Sequence, residues 1–86
     1  MKALEKNLKA IANRRRLAIL SYLKKNREAT VGDIADTIHL SFTATSKHLG
    51  ILFAVDILDK EQRSLEIYYR LGKISDPMIR TLISIL

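Results

Sequence analysis

Thr43, Ser46 and Lys47 lie in the stretch Leu40-Ser41-Phe42-Thr43-Ala44-Thr45-Ser46-Lys47-His48-Leu49, and their types and spacing could do chemistry. On a helix turning about 100° per residue, Ser46, Gly50, Thr43, Ala54 and Lys47 fill one arc. Leu49, Thr45, Leu52, His48, Val55, Ala44 and Ile51 fill the other. The first arc is small, hydroxyl-bearing and cationic. Small side chains let a helix backbone approach a surface closely, hydroxyls donate or accept at base edges, and a Lys reaches guanine acceptors or a phosphate. A helix placed in the DNA major groove needs this chemistry, and residues near its N-terminus lie nearest the bases. The same arc also suits an ordinary solvated helix, and the stretch alone does not separate the two. The candidate contacts from this helix are Ser41, Phe42, Thr43, Thr45, Ser46 and Lys47.

Helices must hold that stretch in place, and the apolar spacing predicts them. Leu4, Leu8 and Ile11 recur at i, i+4, i+7 and mark a helix over about 3–12. Asn13 suits the N-cap of a second helix, about 14–25, with Leu17, Leu20 and Leu23 as its stripe and Ile19 beside them. Thr30, with Asp33 at the capping-box position, opens a third helix, about 31–38, that buries Val31, Ile34, Ala35 and Ile38. A tight turn, His39-Leu40-Ser41, follows, and Ser41 caps the helix over about 42–54.

The period then changes. Leu65, Ile67, Tyr69 and Leu71 point one way and Glu66, Tyr68 and Arg70 the other, which is the alternation of a half-buried strand. Residues 56–60 are expected to pair with it across a polar turn at 61–64. Asp76-Pro77 opens a last helix with Ile79, Leu82, Ile83 and Leu86 on its apolar face. The predicted fold is mainly α (α+β). It is a winged helix-turn-helix with a two-stranded β-hairpin wing and flanking terminal helices, forming one domain over 1–86.

Composition narrows the function. The 86 residues suffice for one compact domain, and 48% are hydrophobic, so the chain folds. Fifteen Lys and Arg against nine Asp and Glu give a net charge of +6, which favours an anionic partner, nucleic acid before a membrane surface. Lys60 and Arg63 on the hairpin are candidate contacts. So are Arg14 and Arg15, which stand at a helix N-terminus that disfavours cations and therefore tolerates a phosphate, although both also read as solvated charge. Arg16, nearer the apolar stripe, is expected to make a structural hydrogen bond.

There is no cysteine, which excludes disulfides, thiolate metal sites and cysteine nucleophiles. His39, His48, Asp33, Asp36 and Asp76 form no set with ligand spacing, so no metal or cofactor is expected, and His48 reads as a hydrogen-bonded, partly buried residue. No catalytic constellation appears, since Ser46 and His48 are two apart on a helix and diverge. The N-terminus lacks the continuous apolar core of a signal peptide, and no apolar run is long enough to span a bilayer. A cytoplasmic protein with no membrane association is expected.

From about Leu8 to Leu71 the sequence resembles the ArsR-type winged-helix transcriptional repressors. The resemblance is carried by "LKAIANRRRLAILSYL", by "TVGDIADTIHLSFTATSKHLGIL" with its "SKHL", and by "LEIYYRL". It implies a dimeric DNA-binding repressor with the first and last helices at the dimer interface. Leu4, Leu8, Ile11, Ile79, Leu82, Ile83 and Leu86 are therefore the expected interface, although the same stripes could complete a monomeric core. The chain departs from the family pattern at His39 and at Val55-Asp56, where Gly is common, and at Asn13-Arg14, where Asn-Pro is common. The wing tip, expected at Glu61-Gln62-Arg63-Ser64, is less basic and lacks Gly.

The expected function is a dimeric, sequence-specific transcriptional regulator, a repressor, bound to double-stranded DNA at an inverted-repeat operator. A winged-helix protein-interaction module and a non-specific architectural DNA binder are the competing readings. An enzyme is not expected.

Overall fold

A computed structural model describes all 86 residues. Its elements are α1 (Lys2–Ile11), α2 (Arg14–Lys25), β1 (Ala29–Thr30), α3 (Val31–Ile38), α4 (Phe42–Ala54), β2 (Leu58–Arg63), β3 (Glu66–Leu71) and α5 (Pro77–Ser84).

Each helix start from α2 onward follows from a polar side chain that takes up free backbone N–H groups. Asn13 Oδ1 accepts from Arg15 N at 2.9 Å and Arg16 N at 3.1 Å. Thr30 Oγ1 accepts from Asp33 N at 3.2 Å, Ser41 Oγ from Ala44 N at 3.1 Å and Asp76 Oδ1 from Met78 N at 2.9 Å. α3 ends at His39, whose φ of 55° is left-handed, and Asp56 after α4 has φ 61°. Two of the positions where the family often uses Gly thus do adopt the left-handed backbone, and His and Asp tolerate it because a short or flat polar side chain crowds the next carbonyl less than a β-branched one.

The core runs from one end of the chain to the other. Ile19, Leu20 and Leu23 of α2 meet Ile34 of α3, Leu49 and Leu52 of α4, Ile57 and Leu58, Tyr69 of β3, and Ile79 and Ile83 of α5. α2 is its centre, in contact with α1, α3, α4, α5 and β3. The wing strand leaves this core through a close crossing. Gly72 N donates to Ile57 O at 2.8 Å, and a Cβ at Gly72 would lie 3.0 Å from Asp56 O, so a larger residue would push β2 and β3 apart.

The sheet differs from the predicted hairpin in two ways. It has three strands, in the order β1-β3-β2, both pairings antiparallel. β1 is only two residues, Ala29↔Tyr69 and Thr30↔Tyr68, too short for any periodicity to announce it. The ladder β2–β3 extends to Arg63↔Glu66, so Glu61, Gln62 and Arg63 are strand and the turn is Ser64-Leu65 alone, with Ser64 at φ 57°. Inward alternation fails toward the tip. Tyr69 is buried, but Ile67 is exposed and Leu65 fully so, because the hairpin there projects past the helices that would cover it.

Candidate nucleic-acid interface

α4 is anchored by Thr45, Leu49 and Leu52, all at 0% exposure. This i, i+4, i+7 stripe turns the opposite arc outward. Ser41, Phe42, Thr43, Lys47 and Gly50 are exposed and Ser46 is half-exposed. Lys47 makes no hydrogen bond or ion pair within the chain. Two residues sit differently from expectation. Thr45, expected among the DNA-contacting residues, is buried, and its Oγ1 has no hydrogen-bond partner. Its place between Leu49 and Leu52 on the wheel makes it a packing residue, so it is removed from the contact set. Ile51, expected on the packed arc, is exposed, since it stands about 160° around the helix from Leu49.

The back of α4 is fixed by a polar node. Arg16 donates from Nε to Ala10 O, at the end of α1, and its guanidinium lies 3.2 Å from His48 Nδ1. Arg16 is always a donor, so His48 Nδ1 accepts and the ring is neutral with its proton on Nε2. Burial, then the charges of Arg16 and Arg15, push the His48 pKa below its ordinary 6.5. One Arg thereby ties α1, α2 and α4 together, as its structural reading anticipated.

Arg14 is exposed, and Arg15 donates to Ile38 O at 3.2 Å, bracing the end of α3. Arg14, Arg15, Lys25 and His39, with Ser21, Tyr22 and Thr37, edge a cleft of about 390 Å³ between α2 and α3. On the wing, Lys60 sits over the Phe53 ring at 4.3 Å, which accounts for that half-covered aromatic. Arg63 is not a free cation. It binds Glu28 through two nitrogens, at 2.5 and 2.9 Å, reaches Glu61 at 3.1 Å and stacks on Tyr68 at 4.5 Å, while Arg70 takes the same Glu61 oxygen at 3.2 Å. Arg63 holds the Glu28 and Glu61 carboxyls below the usual carboxylate range, chiefly by hydrogen bonding. Sequence reading missed this knot because Glu28 lies 35 residues from Arg63.

The terminal helices also divide. Ile11, Ile79 and Ile83, expected at a dimer interface, lie at 5%, 0% and 5% exposure inside the chain's own core and have almost no surface to offer a partner. Leu4, Leu8, Leu82 and Leu86 are partly exposed. Met1, Leu4, Leu8 and Ala12 line an apolar groove of about 280 Å³ along α1. No group of three or more His, Cys, Asp or Glu is gathered anywhere, and no helix is long and apolar enough to cross a membrane.

Known proteins share this arrangement. The profile described as "Bacterial regulatory protein, arsR family" matches residues 13–60, from the cap of α2 into β2. The transcriptional activator HlyU of Vibrio cholerae is 37% identical over 65 residues, 76% of this chain, and the match spans 59% of that relative's length. The solved structure of V. cholerae HlyU superposes with a TM-score of 0.84 at 30% identity, covering 98% of this chain and 87% of that one. The homodimeric winged helix-turn-helix DNA-binding domain of Mb0332 from Mycobacterium bovis gives 0.82 at 26% identity, covering 98% and 74%. The transcriptional repressor PagR of Bacillus anthracis also gives 0.82 at 26%, covering 98% and 92%. A winged helix whose α3–turn–α4 unit presents a small, hydroxylated, cationic face, within a matching profile that spans more than half of the sequence, places this chain in the arsR family of bacterial regulatory proteins.

Proposed function

We propose that the protein is a dimeric, sequence-specific DNA-binding transcriptional repressor that reads the major groove with α4. The observation that carries this reading is the outer arc of α4. It bears Thr43 and Ser46, its bulky exposed members are Phe42 at its start and Ile51 further along, and its one cation, Lys47, has no partner in the chain. Ser41, Phe42, Thr43, Ser46 and Lys47 are the base-proximal residues, with Arg14, Arg15 and Lys60 toward the phosphates. Arg63 joins them only by leaving its carboxylates.

A single short helix buries too little surface for tight specific binding, so dimerisation is coupled to affinity. Leu4, Leu8, Leu82 and Leu86 supply the apolar surface for it, and the similar Mb0332 domain is described as homodimeric. Two-fold symmetry sets the recognition helices about 34 Å apart, one turn of DNA, and so selects an inverted repeat. Repression by occupancy of the operator is the regulatory reading, supported by the similar PagR, which is described as a repressor, while the similar HlyU is described as an activator.

In vitro selection of bound duplexes, with sedimentation of wild type and Leu82→Glu, tests the reading. The expected result is an inverted-repeat consensus preferred about a thousandfold or more over random DNA, a wild-type dimer, and a Leu82→Glu monomer with sharply weaker binding. Binding without sequence preference indicates an architectural protein, and no binding at low salt indicates a protein-interaction module.

A further inference from the structure

Gly50 stands in the third turn of α4, and nothing within the chain accounts for it. The helix runs unbroken from Phe42 to Ala54, so Gly50 is interior to it, and the residue is exposed. Glycine inside a helix is destabilising relative to Ala, because it gives up more backbone freedom on folding. The usual reasons for a helical glycine are missing. No glycine of this chain has a positive φ, so no special backbone conformation requires it. A Cβ at Gly50 would meet no atom within 4 Å, so no neighbour in the chain needs the space. Gly72 is the contrast, since a Cβ there would lie 3.0 Å from Asp56 O. The close approach that explains Gly50 therefore comes from outside the chain.

Its place on α4 says what approaches. Gly50 follows Lys47 by three residues, Ser46 by four and Thr43 by seven, so it shares their face of the helix. Lys47 is unpaired, α4 contains no Asp or Glu, and the chain carries a net charge of +6. This surface suits an anionic body better than another copy of the same basic chain. At about 1.5 Å per residue, Gly50 lies about 12 Å along the helix from Phe42. A helix that offered DNA only its first turn would leave Gly50 that far from the bases, where any residue would serve. We infer that α4 lies lengthwise in the major groove and that Gly50 is where its backbone comes into van der Waals contact with the duplex. The inference rests on the DNA-binding reading of α4 and adds a positioning residue to it. The major groove is about 12 Å wide and a helix with its side chains about 10–12 Å across, so a lengthwise helix has little room to spare. Gly50 has no side chain with which to read a base. The missing Cβ sets how deep the third turn sits, and so keeps Ser46 and Lys47, one turn earlier, within reach of the base edges.

The test uses the full chain and the duplex that it prefers after in vitro selection. Gly50→Ala adds one methyl group and removes the cost of a helical glycine, so stability and affinity should move in opposite directions. The melting temperature should rise by about 2–8 °C. Affinity for the selected duplex should fall about tenfold, as when a closely packed contact has to admit an extra methyl group. Gly50→Leu, also a good helix former, should bind more weakly still. Both losses are steric, so the slope of log K against log salt should stay that of wild type, and sedimentation should show an unchanged oligomeric state. A Gly50→Ala protein that binds the duplex as tightly as wild type overturns the inference and leaves the DNA-binding reading intact. So does one that melts below wild type, since the chain itself would then need the glycine. So does one whose dimer dissociates, since a second copy would then be what approaches Gly50. Failure of wild type to bind any duplex overturns this inference and the parent reading together.

Discussion

Lys47 on α4 has no partner within the chain, whereas Arg63 on the wing has three, the Glu28 and Glu61 carboxylates and the Tyr68 ring. α4 is also packed along its whole length by residues at 0% exposure, while the outer wing has nothing behind it and ends in an uncovered Leu65. Packing fixes the direction of the helix and leaves its charge free. The wing lacks packing, and an ion-pair knot to Glu28, beside β1, takes its place and uses up the charge. Rigidity and charge availability are thus supplied by different means in the two regions, and only the helix has both.

The largest effect that should separate them is on stability. Leu49→Ala removes a fully buried anchor of α4 and should cost about 2–5 kcal/mol in urea unfolding. Leu65→Ser should stay within about 0.5 kcal/mol of wild type. Comparable losses at both sites would mean that the wing is packed in solution and would break the comparison.

Binding comes next. Lys47→Ala should cost about 1–3 kcal/mol at the base it reads and relax specificity there, measured by competition among single-position variants of the selected site. On the wing, removing charge from the knot should do the opposite. Glu28→Gln with Glu61→Gln should release Arg63 for a phosphate, steepening the plot of log K against log salt by about one. Adding Arg63→Ala to that background should return the slope. An unchanged slope in the double variant would show that Arg63 does not reach DNA even when freed.

The smallest effect is a difference in pH response. His48 has a depressed pKa in the fold, so its contribution to stability is present above the ordinary 6.5 and is lost as pH falls below that value toward the depressed one. Glu28 and Glu61 are depressed below the ordinary 4.5, so the wing knot keeps its contribution above that value and loses it as pH falls through the folded pKa values. An NMR titration should show the His48 ring with a midpoint below 6.5 and the two carboxyls with midpoints below 4.5. Arg63→Ala should raise the Glu28 midpoint and leave His48 unmoved. Coupled movement of both would join the two regions electrostatically.

The five helices, their caps and the helix–turn–helix unit were legible in the residue order. Their signals are local: Asn13, Thr30, Ser41 and Asp76 each satisfy N–H groups two or three residues away, and a stripe such as Thr45, Leu49 and Leu52 repeats within two turns. Family resemblance was legible for the same reason, since it rests on the spacing of those signals. Other features depended on groups distant in the chain. Ala29–Thr30 becomes a strand only because Tyr68 and Tyr69 are beside it, and Arg63 loses its freedom only because Glu28 is brought opposite it. The division of the terminal stripes was decided in the same way. Ile11, Ile79 and Ile83 are chemically indistinguishable in sequence from Leu4, Leu8, Leu82 and Leu86, but α2 and its neighbours cover the first three and leave the others at the surface. The sequence by itself determined where helices begin and which arc of each is apolar, because propensity and periodicity act over a few residues. Which apolar residues stay exposed and which cations stay free was decided only by the tertiary structure, because burial and ion pairing depend on what the rest of the chain places nearby.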